Sequence, residues 1–262
     1  MDLGIKGRTA LVAGASAGIG KAIAMVLSEE GAKVAVLSRD KERITAAAKD
    51  VANKTAGEVL PVVCDVTNRK RIDAAIAKIN SRFGVIDILV CNAGGPPMRR
   101  FEQMVDGDWD AAYNLNLKST IRLCAAVIPA MKKQKWGRII NITSIAAIQA
   151  SETLILSSTM RPGVHGLTKS LSNEFAQYGI TVNTICPGYT NTERLVGLAA
   201  ATAKANGVKP DRVYDGWTQN IPAGRLAKPE ELGYLAAFLA SEKAAYINGV
   251  ALNIDGGFIK TI

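Results

Sequence analysis

The chain has 262 residues, 48% of them apolar, enough to bury a large core as one α/β unit, and no Pro- or Ser-rich linker or internal repeat divides it. Its formal charge is +9, but the basic residues are scattered; the one dense run, Lys132-Lys133-Gln134-Lys135, ends a predicted helix where cations complement the dipole, so the charge does not point to nucleic acid. The charged start MDLGIKGR and the lack of an apolar stretch of about 18 residues exclude a secretory signal and a membrane span, which predicts a cytoplasmic protein.

From the first residues onward, apolar runs of strand length alternate with amphipathic helical stretches. TALVAG, KAIAMVLSEEG, KVAVLS, RITAAAKDVANK and VLPVVC read as β-α-β-α-β. The pattern continues with helix RIDAAIAKINSRFG, strand IDILVCNAG, a long helix over about 110–133 and strand RIINITS. A further helix and strand span about 158–186. Such alternation builds a doubly wound parallel sheet covered by helices on both faces, here expected as a single domain over 1–262.

After Pro187 the rhythm loosens. Residues 193–223 hold Ala-rich helical pieces, NGVKPD, and the aromatic Tyr214 and Trp217, before PEELGYLAAFLASE and VALNID restore regularity. An irregular insertion after a strand's carboxyl end is where ligands bind in open α/β sheets. This segment is therefore expected to be a substrate lid, with a packing or oligomer-contact helix pair as the alternative. Cys64, Cys91, Cys124 and Cys186 stand singly in apolar runs, and His165 is the only histidine. This pattern predicts reduced core thiols and no metal site.

The chemistry-bearing motif is AGASAGIG, between the first strand and the first helix. Gly14 permits a tight turn, Gly18 lets the backbone approach a pyrophosphate, and Gly20 lets the helix pack on the strand. With Ser16 and Ile19 in the same turn, amides at the helix start face the phosphates. At the end of the second strand, an acidic residue would bind the ribose 2′-hydroxyl of NAD. Here Ser38 and Arg39 stand instead, suited to a 2′-phosphate, although Asp40 follows immediately. The reading is NADP(H) rather than NAD(H).

The glycine spacing, followed by Asp65 in CDV, Asn92-Ala93-Gly94, Asn116 in NLNL, Ser144 in INITS, Pro187-Gly188 with Thr192, and Asp255-Gly256-Gly257, resembles the short-chain dehydrogenase/reductase family. Within it the chain is most similar to the 3-oxoacyl-acyl-carrier-protein reductase branch. The resemblance implies that Asp65 and Val66 line the adenine and that Asn92 and Gly94 face the ribose side. It places Thr192 at the nicotinamide amide beside Pro187 and Gly188. It also implies that Ser144 orients the substrate, that Asn116 interrupts a helix and holds a water through its backbone carbonyl, and that Asn114 faces the other way. A dimer or tetramer of identical chains is implied as well.

One expected pair is absent. In the family, a tyrosine follows the active serine by about thirteen residues and a lysine lies four beyond, on one helix face. Counting from Ser144, and backward from GLTKSLSNEFAQYGITVN, these positions are Ser157 and Arg161, and no Y-x-x-x-K occurs in the chain. Arg161 keeps a charge able to hold the nicotinamide ribose. The proton would come from Ser144 directly, from a water held by Ser157 and Arg161, or from Tyr189, whose alternative role is a wall beside the nicotinamide. Pro162 implies that the helix is either kinked there or starts there, capped by Thr159 or a neighbour.

The sequence thus points to an oxidoreductase moving a hydride between NADP(H) and a carbonyl or secondary alcohol of a medium-sized, partly apolar small molecule, with a non-standard catalytic set of Ser144, Asn116, Ser157 and Arg161. The alternatives are a catalytically silent dinucleotide-binding protein, such as a sensor or assembly subunit, and a non-redox lyase or isomerase.

Overall fold

The structure is a computed structural model that describes residues 1–261. Seven strands, β1 (Thr9–Ala13), β2 (Lys33–Ser38), β3 (Val59–Val63), β4 (Ile88–Cys91), β5 (Gly137–Ile142), β6 (Ile180–Pro187) and β7 (Ala251–Ile254), form one sheet in the order β3-β2-β1-β4-β5-β6-β7. Every pairing is parallel. Strands β1, β4, β5 and β6 are buried along their whole length, which is why they read as continuous apolar runs: helices cover both faces. Pro61 sits in β3, an edge strand, where a missing N–H leaves no central ladder bond unmade.

On one face lie α1 (Gly18–Glu29), α2 (Lys41–Thr55) and α9 (Pro229–Ala240), with Ile23, Leu27, Ile44 and Leu232 packed on Val12, Val34, Ile88 and Ile140. On the other lie α3 (Arg69–Phe83), α5 (Ser119–Gln134) and α6 (Ile155–Phe175), with Ile72, Ile79, Leu123, Met131 and Phe175 on Leu11, Leu89, Ile139 and Val182. Each such fully buried side chain contributes about 1.5–3 kcal/mol. The sheet order reverses between β1 and β4, so connections leave in opposite directions and open a crevice at the strands' carboxyl ends. This is the Rossmann-type, doubly wound arrangement, and its switch point is where ligands bind.

Three local outcomes differ from the sequence reading. The helix expected over 110–133 begins earlier, as α4 (Asp106–Ala112). It then passes through a π-helical turn at Tyr113–Lys118 before continuing as α5. Residues 193–223 fold as two helices, α7 (Glu193–Asn206) and α8 (Pro210–Gln219), packed through Ala199, Ala203 and Val213 with Tyr214 and Trp217 against them. Finally, α6 starts at Ile155, well before Pro162, and runs through it. The alternative of a helix starting at Pro162 therefore falls. Thr159 is no cap: its hydroxyl donates back to the Ile155 carbonyl at 2.9 Å. Burial explains this outcome, because Leu156, Ser157, Arg161 and Val164 face inward while Pro162 is exposed.

The four cysteines are buried and unpaired. Among the described residues no His/Cys/Asp/Glu group could hold a metal ion, and no helix is long and apolar enough to cross a membrane. Because Pro162 leaves the Ser158 carbonyl without its helical partner on an exposed face, Pro162→Ala should raise unfolding stability by about 1–3 kcal/mol. Urea denaturation checks this, and a loss of stability would show that the ring itself is needed.

Candidate active site

The site begins at the turn between β1 and α1. The N-cap of α1, Ala17, has an extended backbone and no side-chain cap, and the first turn contains no acid. Its first amides thus face the crevice with a positive dipole end and no internal anion. Gly14 adopts φ +60°, and a Cβ there would lie 2.8 Å from the Asn92 carbonyl oxygen. At Gly20 a Cβ would lie 2.4 Å from the Gly14 oxygen and 2.7 Å from Asn92 Nδ2. Gly20 therefore admits the turn's own carbonyl and the Asn92 amide, which donates to Gly14 O at 3.1 Å, where the start of α1 comes close to the end of β1. Ser16 and Ile19 lie half-buried in this turn, and Gly18 packs against the Thr192 side chain.

Beyond the turn, at the end of β2, Ser38 is half-buried and Arg39 exposed. Asp40, whose charge beside Arg39 would disfavour an anion, is turned away: its carboxylate caps α2 by accepting from Arg43 N at 3.0 Å. Asp65 Oδ1 accepts from Thr67 N at 2.9 Å and from Thr67 Oγ1 at 2.7 Å. Burial alone would raise its pKa, but these bonds and the charges of Arg39 and Arg71 outweigh it and hold the carboxyl below the ordinary value. Val66 beside it packs on the core.

Deeper in the crevice, Asn92, Asn116, Thr143, Arg161 and Val164 line a small cavity. Ser157 and Arg161, one turn apart on α6, are 5% and 8% exposed. Arg161 donates to the Ile142 and Thr143 carbonyls at the end of β5, while its Nε has no partner. Burial, helped by the neighbouring charge of Arg194, lowers its pKa to about 10, which leaves it protonated at neutral pH. Asn116 lies in the π-helical turn, and its amide donates to Gly94 O at 2.9 Å. Its backbone carbonyl accepts from Thr120 Oγ1 at 3.3 Å, and its side-chain Oδ1 has no partner. Asn114 bonds back to Asp110 O, away from this cavity. Ser144 accepts from Ala146 N at 3.1 Å, which leaves its O–H available as a donor.

An aromatic cluster follows β6. Tyr189 stacks on Trp217 at 5.1 Å and meets Phe258 edge-on at 5.4 Å. Burial raises its pKa, so its phenol is a weaker acid than a free tyrosine. Pro187 ends β6 and the Gly188 amide donates to Ile254 O at 3.0 Å. Thr192 caps α7 by accepting from Leu195 N.

Two features escaped the sequence reading. His165 Nε2 lies 3.1 Å from Thr143 Oγ1 and 3.5 Å from Cys186 Sγ, one helical turn beyond Arg161. Arg194 donates to the carbonyls of Gly95 at 2.8 Å and Pro96 at 3.0 Å. The spacing of His165 from Arg161, four residues on one helix, was available as a signal; the Arg194 contact had none.

A family model described as "Enoyl-(Acyl carrier protein) reductase" matches residues 14–259. The chain is 34% identical to the 3-oxoacyl-[acyl-carrier-protein] reductase FabG of Thermotoga maritima, over 97% of this chain and 99% of that protein. It is 36% identical to the FabG of Vibrio cholerae, over 97% and 98%. Among solved structures, the L-sorbose reductase of Gluconobacter frateurii complexed with NADPH and L-sorbose superposes with a TM-score of 0.95 at 33% identity, over the whole of both chains. YwfH, an NADPH-dependent reductase involved in bacilysin biosynthesis, does so with 0.92 at 31%, over 97% of this chain and 99% of that one.

Burial and the Arg161 charge lower the pKa of His165 below its ordinary 6.5. As pH falls through 6.5 the unfolded chain takes up this proton and the folded one does not. Stability should therefore fall below pH 6.5, by up to about 1.4 kcal/mol for each unit between the two values. With one histidine in the chain, denaturation midpoints between pH 7.5 and 5 isolate the effect, and His165→Gln should flatten it.

Proposed function

The chain belongs to the short-chain dehydrogenase/reductase family, and from that premise we propose that it is an NADP(H)-dependent oxidoreductase acting on a carbonyl or secondary alcohol, with a non-standard route for the proton. The observation that carries this reading is the uncapped, acid-free N-terminus of α1, held open by Gly14 and Gly20, in line with a cavity where Arg161 Nε and Asn116 Oδ1 are buried without partners. A cradle that a Cβ would fill, and orphaned polar atoms beyond it, suit a long polar cofactor with phosphates at one end and ribose hydroxyls at the other.

In this reading Gly14, Ser16, Gly18, Ile19 and Gly20 hold the pyrophosphate on backbone amides. Ser38 and Arg39 take the 2′-phosphate, with Asp40 withdrawn into its cap. Asp65 and Val66 border the adenine. Asn92, Gly94 and Arg161 hold the second ribose, and Pro187, Gly188 and Thr192 flank the nicotinamide. The cofactor, when bound, supplies or accepts hydride. Ser144, whose O–H is free to donate, orients the carbonyl oxygen. Ser157 and Arg161 hold a water that relays the proton, and the Arg161 charge stabilises the oxyanion as it forms. Without a phenol acid this step forgoes the roughly 10²–10⁴-fold that general acid catalysis provides. The chain functions as one unit, with α7 and α8 as its substrate lid. The open edge at β7, with Tyr246 exposed beside it, serves contact with a second copy.

One observation favours a second reading, a dinucleotide-binding protein without turnover. The buried hydroxyl nearest Arg161 on its helix face is the weakly acidic Ser157, and Tyr189 is engaged in stacking. A substrate panel in the presence of NADPH separates the two, since binding without turnover would favour the silent protein. Ser157→Tyr with Arg161→Lys should raise carbonyl reduction by about 10²–10⁴-fold if only the acid is missing; a double variant that binds NADPH and stays inert would count against that mechanism. Arg39→Asp should shift the ratio of NADPH to NADH affinity by about ten- to a hundredfold toward NADH, and unchanged relative affinities would remove the assignment of the 2′-phosphate.

A further inference from the structure

Positive charge along the crevice is unevenly neutralised. Three guanidinium groups have carboxylate partners: Arg43 with Glu193 at 2.6 Å, Arg99 with Asp108 at 3.0 Å and Arg100 with Glu152 at 3.1 Å. Two others, the buried Arg161 and the exposed Arg194, have no carboxylate partner among the described residues. Both are held by backbone carbonyls instead: Arg161 by Ile142 and Thr143, Arg194 by Gly95 and Pro96. They meet the same loop after β4. Arg161 and Asn116 line the cavity beside Asn92 and Ala93, Asn116 binds Gly94 O, and Arg194 binds the next two carbonyls. The Arg194 charge is close enough to depress the ionisation of Arg161, and burial depresses that of Arg194 itself.

A buried guanidinium without a counter-ion, as at Arg161, is costly for a fold to keep, and Arg194 stands exposed at its side of the loop with its own charge unmatched. The latch around Arg194 is also sterically specific. A Cβ at Gly95 would lie 2.4 Å from its Nη2, so glycine is what lets the guanidinium settle on the loop. Each terminal nitrogen spends one hydrogen on a carbonyl, which leaves Nε–H and one hydrogen on each terminal nitrogen for a ligand. A guanidinium with several donors to spare is suited to the two oxygens of a carboxylate. In the proposed cofactor arrangement, on which this inference rests, the pyrophosphate is already served by the α1 amides and the 2′-phosphate by Arg39. The surplus charge lies at the reacting end.

We propose that Arg194 is a specificity-determining residue that takes the carboxylate of the carbonyl substrate, so that the substrate class is a small oxo acid rather than a neutral ketone or sugar. Arg161 adds its field from below, and the aromatic wall of Tyr189 and Trp217 bounds the carbon chain.

The test uses the full chain and a set of 2-, 3- and 4-oxo acids with their methyl esters, followed by calorimetry with and without saturating NADPH. At least one acid should bind about tenfold or more tightly than its ester. Arg194→Met should erase that ratio while NADPH affinity stays within about threefold, and Arg194→Lys, which keeps the charge without the fork, should retain part of it. Gly95→Ala, which displaces the guanidinium and removes no charge, should reproduce the loss. Thermal unfolding of each variant reports whether the fold is intact. Equal binding of acids and esters by the wild type would overturn the proposal. So would an Arg194→Met protein that loses NADPH as severely as acid, because the guanidinium would then serve the pyrophosphate, or a phosphorylated ketone bound more tightly than every acid. Failure of NADPH to bind the wild type would instead refute the cofactor reading, while the acid-to-ester ratio without cofactor still reads the Arg194 assignment.

Discussion

Asn92 donates its side-chain amide to the Gly14 carbonyl at 3.1 Å, stitching the end of β4 to the end of β1 at the point where strand order reverses. The contact is possible because Gly20 offers no Cβ to either group. It fixes the path of the glycine turn, hence the direction of α1 and its free amides, and it fixes the start of the loop whose next residues bind Asn116 and Arg194. Both ends of the candidate site are thus referenced to one hydrogen bond across the switch point. This is the physical content of the rule that open parallel sheets bind ligands there.

The second organising constraint is the charge of Arg161. A guanidinium buried on α6 has to find acceptors, and the carbonyls at the end of β5 provide two of them. Its remaining Nε faces a cavity with an equally orphaned Asn116 Oδ1. Unsatisfied buried polar atoms are uncommon in stable folds and mark places where a ligand or water completes the structure. Burial, with the same charge adding to it, lowers the pKa of His165 one turn away, so this region holds one cation and one imidazole that resists protonation. Field strength in such a site is supplied by the guanidinium, and the phenol of Tyr189 is made less acidic by burial.

Where relatives named as reductases supply a comparison, the likeness extends over nearly the whole chain. It therefore covers the parts that hold a ligand better than it covers the chemistry at one or two side chains. In the proposed arrangement, hydride alignment would rest on several groups together, the glycine turn, the ribose contacts of Asn92 and Arg161 and the nicotinamide flank. Proton supply depends on one side chain's acidity, which a single substitution changes by orders of magnitude.

Composition and periodicity by themselves determined the alternation of strands and helices, the burial of both sheet faces and the glycine turn, because each is written in residue type at short range; Ser157 and Arg161 were singled out by the family resemblance. Tertiary structure alone decided the rest. Pro162 did not start α6, since burial of Leu156, Ser157, Arg161 and Val164 outweighed one lost bond on an exposed face. The helix at Asn116 took a π-helical turn, and its side-chain amide lies on the Gly94 carbonyl. Thr143, His165 and Cys186 meet from β5, α6 and β6, and Arg194 reaches a carbonyl 99 residues away. Local pattern encodes which face of an element is apolar. It does not encode which distant polar groups will be brought within hydrogen-bond reach, because that follows from how the packed elements are placed against one another.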